Sequence, residues 1–153
     1  MENRWIRWHV NNGLELTMMM LDTFETTQDE QFAKDTLLPL TVEIMVWLDQ
    51  HWKRVDGKLQ FEPSAALETR QWAANPTPDI AGLKSVLPRL IALPEKLTTP
   101  VQRALWQKML GDLPPLPLLQ LWRRNADFVR NRLDRVACAP HSAPRPQMRS
   151  MLE

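Results

Sequence analysis

The stretch Gly13 to Trp52, GLELTMMMLDTFETTQDEQFAKDTLLPLTVEIMVWLDQHW, decides the fold. Its apolar residues recur at helical spacing. Leu14, Met18 and Leu21 share one face, and Leu16, Met20 and Phe24 share the next. That wide apolar arc predicts a helix from about Leu14 to Glu25, buried on more than one side. Asn11-Asn12 supply N-cap chemistry before it. Thr27-Gln28-Asp29-Glu30 reads as a capping box, with Thr27 as N-cap and Glu30 three residues on. A second helix is then expected from Gln28 to about Trp52, carried by Leu37, Ile44, Met45, Leu48 and Trp52. Pro39 lies inside it and is expected to kink or break it. Two helices joined by a short capped turn make a helical hairpin, so the fold class is all-α.

Downstream, Asp56-Gly57 is a turn signal, and KLQFE at 58–62 alternates as a short strand does. Residues 63–77 read as an ordered loop. Thr77-Pro78 opens a third helix, Thr as N-cap and Pro at the first position. Ile80, Leu83, Val86, Leu87 and Leu90 line it, and Pro88 lies inside. Thr99-Pro100-Val101-Gln102 repeats the logic with a Gln at the third position. The fourth helix is expected to end near Gly111. The organisation is thus a helical-hairpin unit over residues 1–112, a stiff Pro-rich linker LPPLPL at 113–118, and an end over 119–153. That end allows one helix, to about Val136, followed by a Pro, Ser and Arg tail of disordered composition.

Composition narrows the function classes. At 153 residues the chain is sized for one domain. A net charge of +1 gives no whole-chain attraction to nucleic acid or acidic lipid. The single Cys, Cys138, excludes an internal disulfide framework and a multi-cysteine zinc site. His9, His51 and His141 have no ligand spacing, so neither metal nor organic cofactor is expected. No apolar run approaches the roughly 20 residues of a spanning helix, and the first residues lack a signal-peptide pattern. The expected location is cytoplasmic by default. Residues 123–153 carry seven Arg, no Lys and three acids, a change of composition after the linker. A solvated charged helix face accounts for it more simply than a nucleic-acid surface, because aromatics are scarce there.

Chemistry concentrates in the loop FEPSAALETRQWAANPTPDIAGL at 61–83. Glu68 sits among Ala65, Ala66 and Leu67 on one side and Trp72 and Ala73 on the other. Apolar neighbours raise a carboxyl pKa, as a general acid requires, whereas a pairing Arg70 opposes the shift. The plainer reading is a solvated loop glutamate. Trp5, Trp8 and His9 form a second cluster, and Trp72 and Asn75 a third. Trp faces accept sugar rings, and His or Asn side chains bond hydroxyls. Core-capping tryptophans and a solvated histidine are the plainer reading there. Met18-Met19-Met20 belongs to the core face of its helix rather than to a soft-metal site.

The order of elements resembles the (α/α)6-toroid glycoside hydrolases, closest to the α-L-fucosidase family (glycoside hydrolase family 95) and its uncharacterised relatives. The residues that carry this are Phe24-Glu25-Thr26-Thr27-Gln28-Asp29, Phe32, Leu38-Pro39, Asp56-Gly57-Lys58-Leu59 and Pro63-Ser64-Ala65-Ala66-Leu67-Glu68. They span about residues 4–80, half of the chain. The resemblance implies hydrolysis of a glycosidic bond by inversion, with Glu68 as general acid. It implies a pocket lined by Trp5, Trp8 and His9, with Trp72 and Asn75 as further sugar contacts, and an oligosaccharide or polysaccharide substrate. The chain reads Leu67-Glu68-Thr69 where the family more often has Pro-Glu-Asn or Pro-Glu-His, and Thr-Gln-Asp where it has Thr-Gly-Asp. The sugar is therefore left open. No carboxylate matches the family's catalytic base, which lies further along; Asp79 and Glu62 are other candidates, but nothing in the sequence places either across a pocket, so the chain is expected to be a fragment of a larger enzyme. Val42–Val46, Met18–Leu21 and Val86, Leu87 and Leu90 are then expected to form exposed patches that drive self-association. The alternatives are a non-catalytic helical module that binds a partner protein, and a sugar-binding relic without turnover.

Overall fold

The computed structural model describes residues 9–67 and 72–117. Trp5, Trp8, Glu68 and the end over 119–153 lie outside the described residues. The first helix, α1, spans Asn11–Thr27. It stops because Gln28 turns into the left-handed region (φ 56°), where its N–H still reaches Phe24 O at 2.8 Å. Thr27 closes this helix rather than capping the next. Its hydroxyl donates back to Thr23 O at 2.8 Å, the usual behaviour of a threonine inside a helix. Asp29 is the cap instead, its Oδ1 accepting from Gln31 N at 2.9 Å and Phe32 N at 3.0 Å. Glu30 turns outward to Lys96 and Lys34.

Pro39 does not break the second helix. A short α2 (Glu30–Phe32) passes through a π-helical turn (Ala33–Leu37) into α3 (Leu38–His51) with helical dihedrals at both junctions. Leu38 N–H reaches five residues back, to Ala33 O. A proline lacks the N–H for the usual bond and its ring crowds the carbonyl four residues earlier. One widened turn accommodates both problems, and the helix continues.

The expected strand is shorter than KLQFE. Lys58–Leu59 (β2) pairs antiparallel with Arg54–Val55 (β1), Arg54 opposite Leu59. Asp56 (φ 51°) and Gly57 (φ 74°) form the two-residue turn, both with the positive φ that a type I′ hairpin demands. Next, α4 spans Thr77–Ile91 and α5 Pro100–Asp112, joined through a 3-10 turn at Glu95–Leu97. Thr77 is the first residue of α4, not its cap; Pro76 precedes it in extended conformation. Pro88 sits in the last turn without interrupting it. The Thr99–Gln102 capping box is formed in both directions: Gln102 N to Thr99 Oγ1 at 3.2 Å and Thr99 N to Gln102 Oε1 at 2.8 Å. Gly111 lies inside α5 rather than beyond it, and the extended Leu113 ends the helix.

Contacts between these elements set their directions. Gly13 and Val10 at the start of α1 meet Ile44, Trp47 and Leu48 late in α3, so that pair is antiparallel. Gly82 near the start of α4 meets Leu14, while Arg89 near its end bonds Asp22 (2.7 Å) and Glu25 (2.8 Å). Thus α1 and α4 run parallel. Arg54 joins Asp49, at the end of α3, to Asp112, at the end of α5. Two helical hairpins are therefore stacked in the same direction, mostly helix with one small sheet. The start of α1, the end of α3, the start of α4, the end of α5, the β-hairpin and the long loop share one end.

The core runs between the hairpins. Leu14, Leu21 and Phe24 of α1 meet Ile80, Leu83, Leu87 and Leu90 of α4, and Trp106 and Met109 of α5 complete it. Each such side chain contributes about 1.5–3 kcal/mol when fully buried. The expected exposed patch on α4 is absent, because Val86, Leu87 and Leu90 are fully buried. Within Met18–Leu21 only Met19 is exposed, and within Val42–Val46 Met45 is buried. The first residue of the Pro-rich linker, Leu113, packs into the core as well.

Candidate functional site

The loop from Gln60 to Pro76 is tied across its base at two levels. Phe61 and Asn75 form the outer tie: Phe61 N donates to Asn75 Oδ1, and Asn75 N to Phe61 O, both at 2.9 Å. Asn75 sits at φ 50°, a left-handed conformation that Asn tolerates better than most residues. Ser64 and Ala73 form the inner tie, exchanging both backbone bonds at 3.1 and 2.7 Å. Among the described residues, 65–67 follow that bridge and Trp72 precedes its second residue. Phe61 is fully buried beneath it, edge-on to Trp52 at 4.9 Å, and Trp52 Nε1 donates to Pro63 O at 3.4 Å. Two polar ties and an apolar plug thus hold the base of the loop.

A third anchor reaches α4. Ser64 Oγ donates to Asp79 Oδ2 at 2.5 Å. Asp79 is 1% exposed, and its Oδ1 has no hydrogen-bond partner. Burial pushes its pKa up to about 6, against the opposing pull of the Ser64 hydrogen bond and the charge of His9. His9, just before α1, also buries Nε2 without a hydrogen-bond partner. The end of the α1–α4 interface thus holds a serine, a carboxyl and an imidazole from three separate segments.

Next to Ala73 and the inner tie, Trp72 is 70% exposed and its backbone lies at φ 64°. A bulky residue in that region is a conformational outlier that surrounding structure must hold. Glu68 lies outside the described residues, between Leu67 and Trp72. His9 is brought to Asp79. Asn75 is an anchor whose Oδ1 is committed to the backbone. Glu62 is exposed and accepts from Gln60 Nε2 at 2.7 Å. Away from the loop, a cleft of about 400 Å3 opens between α1 and α3, lined by Val10, Gly13, Glu43, Ile44, Trp47 and Leu48. Trp47 stacks on His51 at 4.2 Å.

Sequence reasoning weighed Asp79 only as a possible base and gave Ser64 no role. One signal was available. Asp79, Leu83, Val86 and Leu90 recur at helical spacing and share the buried face of α4, so a carboxyl stands where an apolar residue is the norm. Its partner was not readable, since Ser64 lies 15 residues away across a loop. Among the described residues no group of three His, Cys, Asp or Glu side chains is placed to hold a metal ion, and no helix is long and apolar enough to cross a membrane. Comparison with protein-family models, curated proteins and solved structures finds no match for the chain.

Proposed function

We propose that the chain is the acid-bearing sector of an inverting glycoside hydrolase of the (α/α)6-toroid type, with Glu68 as the general acid. The observation that carries this reading is the loop: tied at two levels at its base, it exposes Trp72 in a strained backbone, four residues after Glu68 in the sequence. Catalytic and binding side chains belong on loops held by rigid elements, and strain concentrates at such sites. An indole face at that rim accepts a sugar ring. Two same-sense hairpins are also the unit that a toroid of this kind repeats.

In this reading Glu68 protonates the glycosidic oxygen as the bond to the anomeric carbon breaks. Inversion requires a second carboxylate about 6.5–9.5 Å away to activate water. Asp79 is buried on Ser64 and Glu62 is held by Gln60, so neither carboxylate flanking the loop serves. The chain by itself is therefore a sugar-binding unit with little turnover, and the complete enzyme takes its base from elsewhere.

Calorimetry of wild type and Glu68→Gln against a panel of oligosaccharides, with product analysis on the same samples, tests this. The expected result is binding by both proteins with little product. Turnover lost in Glu68→Gln would establish the acid directly, and binding by neither protein would sink the reading. A second reading, a helical module that engages a partner protein, is favoured by the exposed Leu40 and Trp47 along α3 beside the α1–α3 cleft. Absence of sugar binding, with affinity for a protein partner lost in Trp47→Ala, is its signature.

A further inference from the structure

We propose that Asp79 is a positioning residue for the Glu68 loop, latching it to α4 through Ser64, with His9 as charge partner and a hold that depends on the carboxyl's protonation. The positioning role rests on the acid reading of Glu68; the latch itself does not.

Ser64 is engaged at three atoms. Its N and O close the loop against Ala73, and its hydroxyl donates to Asp79. The Ser64–Ala73 bridge at the base of the loop is therefore fastened to α4 through one side-chain bond. Asp79 cannot turn away to compensate, because it shares its helix face with the fully buried Leu83, Val86 and Leu90. Its second oxygen and His9 Nε2 are both buried without hydrogen-bond partners, a costly condition for each. Among the described residues His9 is the one ionisable group whose charge bears on Asp79. The other charged groups nearby among the described residues of the packed elements are exposed: Glu15 of α1 with Asn11, Glu62 of the loop with Gln60, Glu43 and His51 of α3, and Lys84 of α4.

The consequence follows from burial. A neutral carboxyl costs less in this site than an ionised one, which is starved of water. Opening the Ser64 bridge readmits water, so ionisation favours the open loop. The latch is tight in mild acid and loosens as pH rises through the carboxyl's titration.

The test is amide hydrogen exchange at Ser64 and Ala73, followed by NMR on the whole chain without sugar, from pH 4 to pH 7.5. Protection, corrected for intrinsic exchange, is expected to fall roughly a hundredfold across this range in wild type. It is expected to stay level in Asp79→Asn. His9→Gln removes the charge that favours ionisation, so the midpoint should move upward. A level wild-type profile, or the same fall in Asp79→Asn, overturns the latch. Should Asp79→Asn not fold, an unchanged or lowered midpoint in His9→Gln overturns it equally. Oligosaccharide affinity of wild type that weakens in step with exchange supports the positioning role. A clear exchange step with no sugar binding at any pH sustains the latch and defeats both the positioning role and the glycosidase reading.

Discussion

Gly82 of α4 lies so close to Leu14 of α1 that a Cβ on residue 82 would stand 2.8 Å from Leu14 Cδ1 and 3.3 Å from its Cβ. This approach sets the spacing of the two parallel helices, both of which contribute buried side chains to the core. Gly82→Ala is expected to destabilise the protein by about 1–3 kcal/mol, the usual cost of overpacking a tight core. Urea unfolding checks it, and Leu14→Ala in the same chain should recover part of the loss. Unchanged stability in Gly82→Ala would mean that the helices separate freely.

Arg103 closes α4 from the neighbouring helix. Its Nη1 donates to Ile91 O at 2.7 Å, Nη2 to Leu93 O, and Nε to Thr98 Oγ1 at 2.8 Å. One planar guanidinium satisfies carbonyls that the helix end leaves open. Arg103→Met keeps the aliphatic stem and leaves these acceptors unsatisfied, so a loss of about 2–3 kcal/mol is expected in thermal or urea unfolding. Arg103→Lys should restore little, because a point charge cannot make the forked contacts. Full rescue by Lys would contradict this account.

Asp79 predicts a pH signature in global stability. Its pKa is raised from 3.8 to about 6 in the folded protein. The neutral carboxyl is therefore favoured by folding. Its stabilising contribution is complete below pH 4 and is lost as pH rises through 6. Asp79→Asn should gain on wild type by about 2–3 kcal/mol between pH 4 and pH 7.5, read as the difference between the two unfolding curves. Asp112 and Glu30 shift the other way, held down chiefly by hydrogen bonds from Arg54 and Lys96, and impose a trend that both proteins share. A constant difference between the curves would remove Asp79 from the account.

If the proposed sugar platform holds, Trp72 separates stability from affinity. Trp72→Gly relieves the left-handed backbone and removes the indole. Stability is expected to change by less than about 1 kcal/mol, since strain relief offsets lost contacts and added chain entropy. Oligosaccharide affinity should fall at least about tenfold. Unaltered affinity in a folded Trp72→Gly would exclude this tryptophan as a sugar platform.

What the sequence determined by itself was local. The helical periods of α1, α3, α4 and α5, the Asp56-Gly57 turn and the Thr99–Gln102 capping box each depend on residues a few positions apart, whose geometry is settled by backbone sterics and nearby hydrogen bonds. Helix ends were less legible because competing local bonds are nearly equal in strength. Thr27 bonds back to Thr23, and Asp29 takes the cap. Pro39 was readable as a disturbance but not as a π turn, since the cost of breaking the helix depends on how much of α3 is buried beyond it. Only tertiary structure decided the rest. Ser64 meets Asp79, Arg103 reaches Ile91, and Gly82 admits Leu14 because hydrophobic burial stacks the hairpins in one direction. Burial then does to Asp79 what no sequence neighbour does: it strips water from a carboxyl and raises its pKa. The candidate site is of that second kind, since its anchors come from the segment before α1, from the loop and from α4, and packing alone brings them together.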